Sequence, residues 1–316
     1  MQQALENFNK KRTSTEAGLP SSSPKVQKNF YLPETFETAK TEIQCLVNWT
    51  DKKLPILVRE GYKPPSGKDA KRIQNKSITT PMLPTKFCDL GMDGDMGKFN
   101  KTETNACYNL SVVETLPDKI TNKMPGAQAK VTAFYKWLHD TVNDMLEAGW
   151  NTEGVWEKWK KAAEKEAKKE LKKNPDNARS AHDIFVANAK TSMLSKYEDK
   201  DTGDDVPMYT FSTPYQMRRN GQMENNRPVF WKQYKNEYGN RAVKDISAEL
   251  PSKKSGLLHG SVIKFGIELN AYDLDTMYGI KAKLKPNILC IHLQKSSQRT
   301  VSEMIGNDTY FSDDDE

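Results

Sequence analysis

The stretch Lys264-Phe-Gly-Ile-Glu-Leu-Asn-Ala-Tyr272, the turn Asp273-Leu-Asp-Thr276 and the run Met277-Tyr-Gly-Ile-Lys-Ala-Lys-Leu-Lys285 decide the fold class. Ile263, Phe265, Ile267, Leu269 and Ala271 alternate with Lys264, Gly266, Glu268, Asn270 and Tyr272. Successive side chains of a strand point to opposite faces of a sheet, so this alternation predicts one apolar and one polar face. Ile280, Ala282 and Leu284 alternate with Lys281, Lys283 and Lys285 in the same way. Pro286-Asn287 predicts a second turn, after which Leu289, Ile291 and Leu293 alternate with Cys290, His292 and Gln294 as a third strand. Three short antiparallel strands in succession predict a small barrel or meander.

Outward from this block the pattern is mixed. Ile43, Leu46 and Val47, then Leu54, Ile56 and Val58, give short apolar alternations. Thr79 to Phe87 is extended, because Pro81 and Pro84 forbid a helix there. Gly91 to Gly97 is a turn and Cys107 to Val113 a strand. From Gln128 to Ala148 the period changes: Val131, Phe134, Tyr135, Leu138, Val142, Met145 and Leu146 fall on one face of a helix. Lys160 to Lys173 is a charged helical run with opposite charges three and four residues apart. Pro175 stops it, and Ser180 caps a further helix reaching about Ser195. An acidic loop, Glu198 to Val206, leads to a strand at Met208 to Tyr215 and a polar turn at Gln216 to Gly221. The expected chain is α+β: a mobile polar arm over 1–30, one domain over 31–300 with a helical insertion at about 128–200, and an acidic tail over 301–316.

Composition narrows the function. The whole chain carries +6, with 48 Lys and Arg against 42 Asp and Glu. Five of the acids lie between Asn307 and Glu316, where there is no basic residue, so the remainder carries 48 against 37, or +11. A basic body attracts phosphate, and an acidic, aromatic-bearing segment (Tyr310, Phe311, Asp313, Asp314, Asp315, Glu316) can compete for the same surface or recruit partners. No apolar run approaches the roughly 20 residues that span a bilayer, and residues 1–33 hold no apolar signal segment, so an intracellular protein without a membrane partner is expected.

The four cysteines (Cys45, Cys88, Cys107, Cys290) and four histidines (His139, His182, His259, His292) are dispersed, and no metal or other cofactor is expected. No Gly-rich phosphate loop, H-E-x-x-H or G-x-S-x-G motif occurs, so no enzyme is predicted. Asp93 and Asp95 in the Gly91–Gly97 turn lack a nearby third ligand.

Binding chemistry is better represented. A coat for single strands needs cations that follow phosphates and aromatic faces that stack on bases. Lys281, Lys283 and Lys285 share one face of a strand, and Lys264 and Tyr272 share the polar face of its neighbour. Tyr215, Arg218 and Arg219 form a second candidate group, Lys232 sits among Phe230, Trp231 and Tyr234, and Lys71 and Arg72 lie in a basic loop after Gly67. The ordinary alternative is a solvated sheet face, with Phe230 and Trp231 in the core.

Order adds a further indication. Thr80-Pro-Met-Leu-Pro-Thr-Lys-Phe87, the Gly97-Lys-Phe99 loop, Tyr108-Asn-Leu-Ser-Val112, the helix from Phe134 to Leu146, the 264–285 hairpin, the strand Ile288 to Leu293 and the acidic tail follow one another. Over residues 75–150 and 255–316 this order resembles the single-stranded DNA-binding proteins of large nucleocytoplasmic DNA viruses. The tail is similar to those of phage and bacterial single-strand-binding proteins, although the bacterial form ends in Pro-Phe and here Tyr310 and Phe311 precede the acids. The resemblance implies an OB-fold and sequence-tolerant binding of single-stranded DNA in viral replication, recombination or repair, in host cytoplasm or nucleus. RNA is a variant ligand, and replication proteins are implied partners of the tail. Two rivals stand beside it: a structural virion protein packing through its basic surface, and a DNA-processing enzyme built on Asp93 and Asp95. Oligomeric state is left open.

Overall fold

A computed structural model describes residues 30–31, 43–47, 54–59, 77–90, 94–96, 101–191, 194–198, 203–219, 221–235, 237–239, 241–248 and 260–292. In chain order the strands are β1 (Phe30–Tyr31), β2 (Ile43–Val47), β3 (Pro55–Arg59), β4 (Ser77–Thr79), β5 (Leu83–Asp89) and β6 (Cys107–Val113). Four helices follow: α1 (Asp118–Thr121), α2 (Ala127–Trp150), α3 (Glu157–Lys173) and α4 (Ala181–Asn188). The remaining strands are β7 (Lys190–Thr191), β8 (Leu194–Glu198), β9 (Asp205–Pro214), β10 (Gln216–Arg219), β11 (Gln222–Asn225), β12 (Val229–Lys235), β13 (Arg241–Asp245), β14 (Val262–Asp273) and β15 (Tyr278–His292).

Five strands close on themselves. β14, β5, β6, β9 and β15 are successive neighbours, and β15 pairs back onto β14. Numbered along the chain, the barrel strands run first, second, third, fifth, fourth and return to the first. The contact of β9 with β15 is parallel and the other four are antiparallel. This is an OB-like barrel. β4 and β1 extend the sheet beyond β14, and β12 and β13 extend it beyond β15. β8 pairs with β9, while β2–β3 and β10–β11 are separate hairpins.

The alternation produces the core. Phe265, Ile267 and Leu269 of β14 meet Ile280, Ala282 and Leu284 of β15, together with Tyr108, Leu110 and Val112 of β6 and Phe211 of β9. Phe211 and Phe265 pack edge to face at 5.1 Å. Each such fully buried side chain contributes about 1.5–3 kcal/mol relative to exposure. Helix α2 lays its apolar face on this assembly. Tyr135 stacks on Tyr209 at 4.0 Å and donates its hydroxyl proton to the Val113 carbonyl at 3.1 Å. Gln128 fixes the approach to α2, accepting from the Leu116 amide and donating to the Glu114 carbonyl.

Three expectations are corrected. The helix capped by Ser180 has its full capping box with Asp183 but ends at Asn188 rather than near Ser195. Ala189 is extended, and the backbone enters β7 to pair with Gly279 and Ile280 of β15. The second correction concerns Pro286-Asn287, which is not a turn. β15 is one strand through it, because the register against β14 shifts there: Phe265 pairs with Ile288 and Ile267 with Leu284. The residues between are absorbed in a bulge, where the missing N–H of proline costs no ladder bond. Gln216 to Gly221 is likewise part of the β10–β11 hairpin.

Candidate nucleic-acid interface

The residues that point out of the barrel form a polar floor. Tyr108, Leu110, Tyr209 and Phe211 are buried, so the alternate residues Asn109, Ser111, Thr210 and Ser212 lie on the other face of β6 and β9. The register sets a row across five strands: Glu268 opposite Lys283, Lys283 opposite Ser212, Ser212 opposite Asn109, and Asn109 opposite Asp89. Ser111 and Thr210 share a hydrogen bond at 2.8 Å. Small side chains keep this floor low, and Lys281 stands exposed on the bordering strand β15.

A turn braces one side. Gly94 takes a left-handed φ of 54°, and a Cβ there would stand 2.6 Å from the Cys107 carbonyl, so only glycine permits the approach. The adjoining Asp95 is almost fully buried and accepts from the Cys107 amide at 2.7 Å, from Asn109 Nδ2 at 2.8 Å, and from Lys101. Burial pushes its carboxyl up, and these hydrogen bonds with the Lys101 charge outweigh burial and hold it below the ordinary carboxylate range. Burial raises the half-buried Cys107 thiol; Asp95 adds to the rise, and Lys101 and Lys281 oppose it. The ion pair with Asp95 holds the Lys101 ammonium on this side of the floor.

The aromatic component comes from residues outside the predicted set. Phe87 of β5 is 50% exposed. Its ring meets Tyr197 of β8 edge to face at 6.2 Å, and the Lys86 ammonium stands 4.3 Å from the centre of the Tyr197 ring. Strict alternation after Leu83 and Thr85 would bury Phe87. A bulge between Thr85 and Phe87 makes Lys86 the extra residue, turns Phe87 outward and Cys88 inward. The signal in the sequence was the Lys86-Phe87 pair itself. Tyr197 falls between the helix expected to reach about Ser195 and the loop expected from Glu198, a place the structure gives to β8.

The predicted residues separate. Lys281 and Lys283 border the floor, whereas Lys285 forms an ion pair with Glu268. Lys264 lies near the other end of β14, where burial and the nearby Lys130 of α2 lower its pKa. Tyr272 donates its hydroxyl to the Lys190 carbonyl at 3.1 Å, reaching across Gly279 of the intervening strand. Tyr215 stacks on buried Tyr108 at 5.3 Å. Arg218 is exposed in the β10–β11 hairpin and donates to the Gly221 carbonyl at 3.3 Å. Lys232 is exposed on β12 opposite Lys244 of β13, away from the floor. Phe230 is core, and half-buried Trp231 donates to Asn287. Arg219 lies in β10, but its side chain is outside the described residues, as are Asp93, Lys71, Arg72 and the acidic tail from Tyr310 to Glu316. Arrangements of His, Cys, Asp and Glu able to hold a metal ion do not occur among the described residues, and no described helix is long and apolar enough to cross a membrane.

No family model matches the chain, and no curated protein sequence matches it. Among solved structures it is similar to gp2.5, a single-stranded DNA-binding protein encoded by bacteriophage T7. The identity is 16% and the TM-score 0.35, over 71% of this chain and 95% of that one. It is also similar to the single-stranded DNA-binding protein from bacteriophage Enc34 in complex with ssDNA, at 13% identity and a TM-score of 0.31, over 69% and 88% of the two chains.

Proposed function

We propose that this protein binds single-stranded DNA without reading its sequence, using the outer face of β5, β6, β9 and β15. One observation carries the reading: exposed Phe87 and half-buried Tyr197, with Lys86 over the latter, stand at a low polar floor bordered by Lys281. Aromatic faces accept any base by stacking and ammoniums follow phosphates, so affinity does not require base-edge contacts. By analogy of fold, the second and third strands of OB barrels and the adjoining loops are where oligonucleotides bind, and here those strands are β6 and β9. The role is non-catalytic.

The setting we propose is replication, recombination or repair of a viral genome, at replication sites in the host cytoplasm or nucleus. The acidic segment 307–316 acts as a competitor for the floor and as a docking element for replication proteins. The test is fluorescence anisotropy of labelled oligo-dT over a salt series. Affinity is expected to fall steeply with salt, and deletion of 307–316 to tighten binding at low salt. Absence of binding at micromolar protein, or binding indifferent to salt, contradicts the proposal. A parallel series with oligo-U measures the preference for DNA over RNA.

A further inference from the structure

Helix α3 sorts its charges. Lys158, Lys161, Lys165, Lys168 and Lys172 follow one another at spacings of three and four residues, which places them in one stripe. Lys169 and Lys173 fall beside it, and all seven are exposed. Glu157 and Glu164 border one side of the stripe, and Glu166 and Glu170 the other. The last two are taken by Arg179. Among the described residues, Lys161, Lys165, Lys168, Lys169, Lys172 and Lys173 form no ion pair. The opposite face is buried: Ala163 packs into the core and Lys160 donates to the Thr152 carbonyl at 2.7 Å.

The stripe is held in a fixed relation to the barrel. Lys158 donates to the Asp275 carbonyl at 2.6 Å, and Trp159 donates from its indole to Asp273 at 2.8 Å while stacking on Tyr278 at 5.0 Å. Asp273 ends β14 and Asp275 lies in the turn to β15, and Lys281 lies three residues beyond Tyr278.

From this geometry we infer that the lysine face of α3 is a second contact for the phosphate backbone of the same single strand, taking it up as it passes the β14–β15 turn. The inference rests on the function proposed above. From Lys158 to Lys172 the stripe runs about 21 Å with a cation at every turn, matching a polyanion charged at every nucleotide. A bilayer surface fits poorly, because Ala163 is buried, Trp159 is half-buried, and Leu171 alone of the large apolar side chains of α3 is exposed, too little to insert. The acids at 313–316 span roughly 13 Å and would meet only part of the stripe.

The full chain carrying K161Q, K165Q, K168Q and K172Q is compared with wild type on oligo-dT of about 10 and about 40 nucleotides, lengths chosen around a barrel site of roughly 4–16. On the long probe, the slope of log affinity against log salt should fall in magnitude by about 3, at about 0.7 per lost phosphate contact, with the short probe unchanged. Arginine at the same four positions should restore the slope. Equal slopes for variant and wild type on the long probe overturn the second contact while leaving the barrel site standing. A loss shared by both probes and abolished by deleting 307–316 assigns the face to the acidic segment instead, and overturns it. Wild type that binds neither probe removes both proposals together.

Discussion

The ring of Phe87 meets the ring of Tyr197 edge to face, with centroids 6.2 Å apart and planes at 88°. An edge-to-face pair orients both rings while leaving aromatic surface uncovered, and the exposed Phe87 ring has few contacts that folding depends on. Phe87→Ala should weaken oligo-dT binding by about 1–3 kcal/mol, roughly 5- to 150-fold, at nearly unchanged thermal stability. The salt slope should stay at the wild-type value, since no phosphate contact is lost. Anisotropy titrations with a thermal melt check all three.

The lysines predicted as one group divide by environment. Lys281 is exposed beside the floor, and Lys264 is half-buried at the other end of β14. Lys281→Gln should lower the magnitude of the salt slope on single strands by about 0.7, and Lys264→Gln should leave it unchanged. Equal effects of the two substitutions would return Lys264 to the binding surface.

Tyr272, Gly279 and Lys190 form a row across β14, β15 and β7. A Cβ on Gly279, at φ 149°, would stand 2.0 Å from the Lys190 carbonyl oxygen, so the close approach of β7 requires glycine. Gly279→Ala should destabilise the fold by more than about 1 kcal/mol. Tyr272→Phe should cost about 0.5–1.5 kcal/mol through the lost hydrogen bond and leave oligonucleotide affinity intact. Denaturant midpoints alongside titrations distinguish this anchoring role from base stacking.

Asp95 gives an acid dependence of defined sign. Its folded pKa is depressed below the ordinary 3.8, so its contribution to stability is complete above that value and is lost as pH falls through the lower folded pKa. Asp95→Asn should lower stability at neutral pH and flatten the acid limb of the stability profile below about pH 4. Unfolding midpoints of the two proteins from pH 7 to pH 2 measure the difference.

The alternation over 263–285 and the helical period over 128–148 were legible because each depends on neighbours in sequence. Barrel closure was not, because the parallel contact of Ser212 with Lys283 joins residues whose local patterns hold no record of each other. The same limit explains the site. Lys281 could be placed on a polar face from alternation alone, but Phe87 reverses its side through one inserted residue, and bulges leave the composition of a strand unchanged. Pro286 reads as a turn for a related reason: a proline in a bulge and a proline in a turn have the same sequence. Tyr272 and Tyr215 had the right chemistry, and only the tertiary partners Lys190 and Tyr108 reveal their anchoring roles.

Ultraviolet cross-linking of oligo-dT to the full chain, followed by peptide mapping, reports which rings meet bases, because bases stacked on aromatic rings cross-link to them. Cross-links are expected at Phe87 or Tyr197, suppressed by excess unlabelled oligo-dT. Cross-links confined to peptides outside β5, β6, β8, β9 and β15 would contradict it.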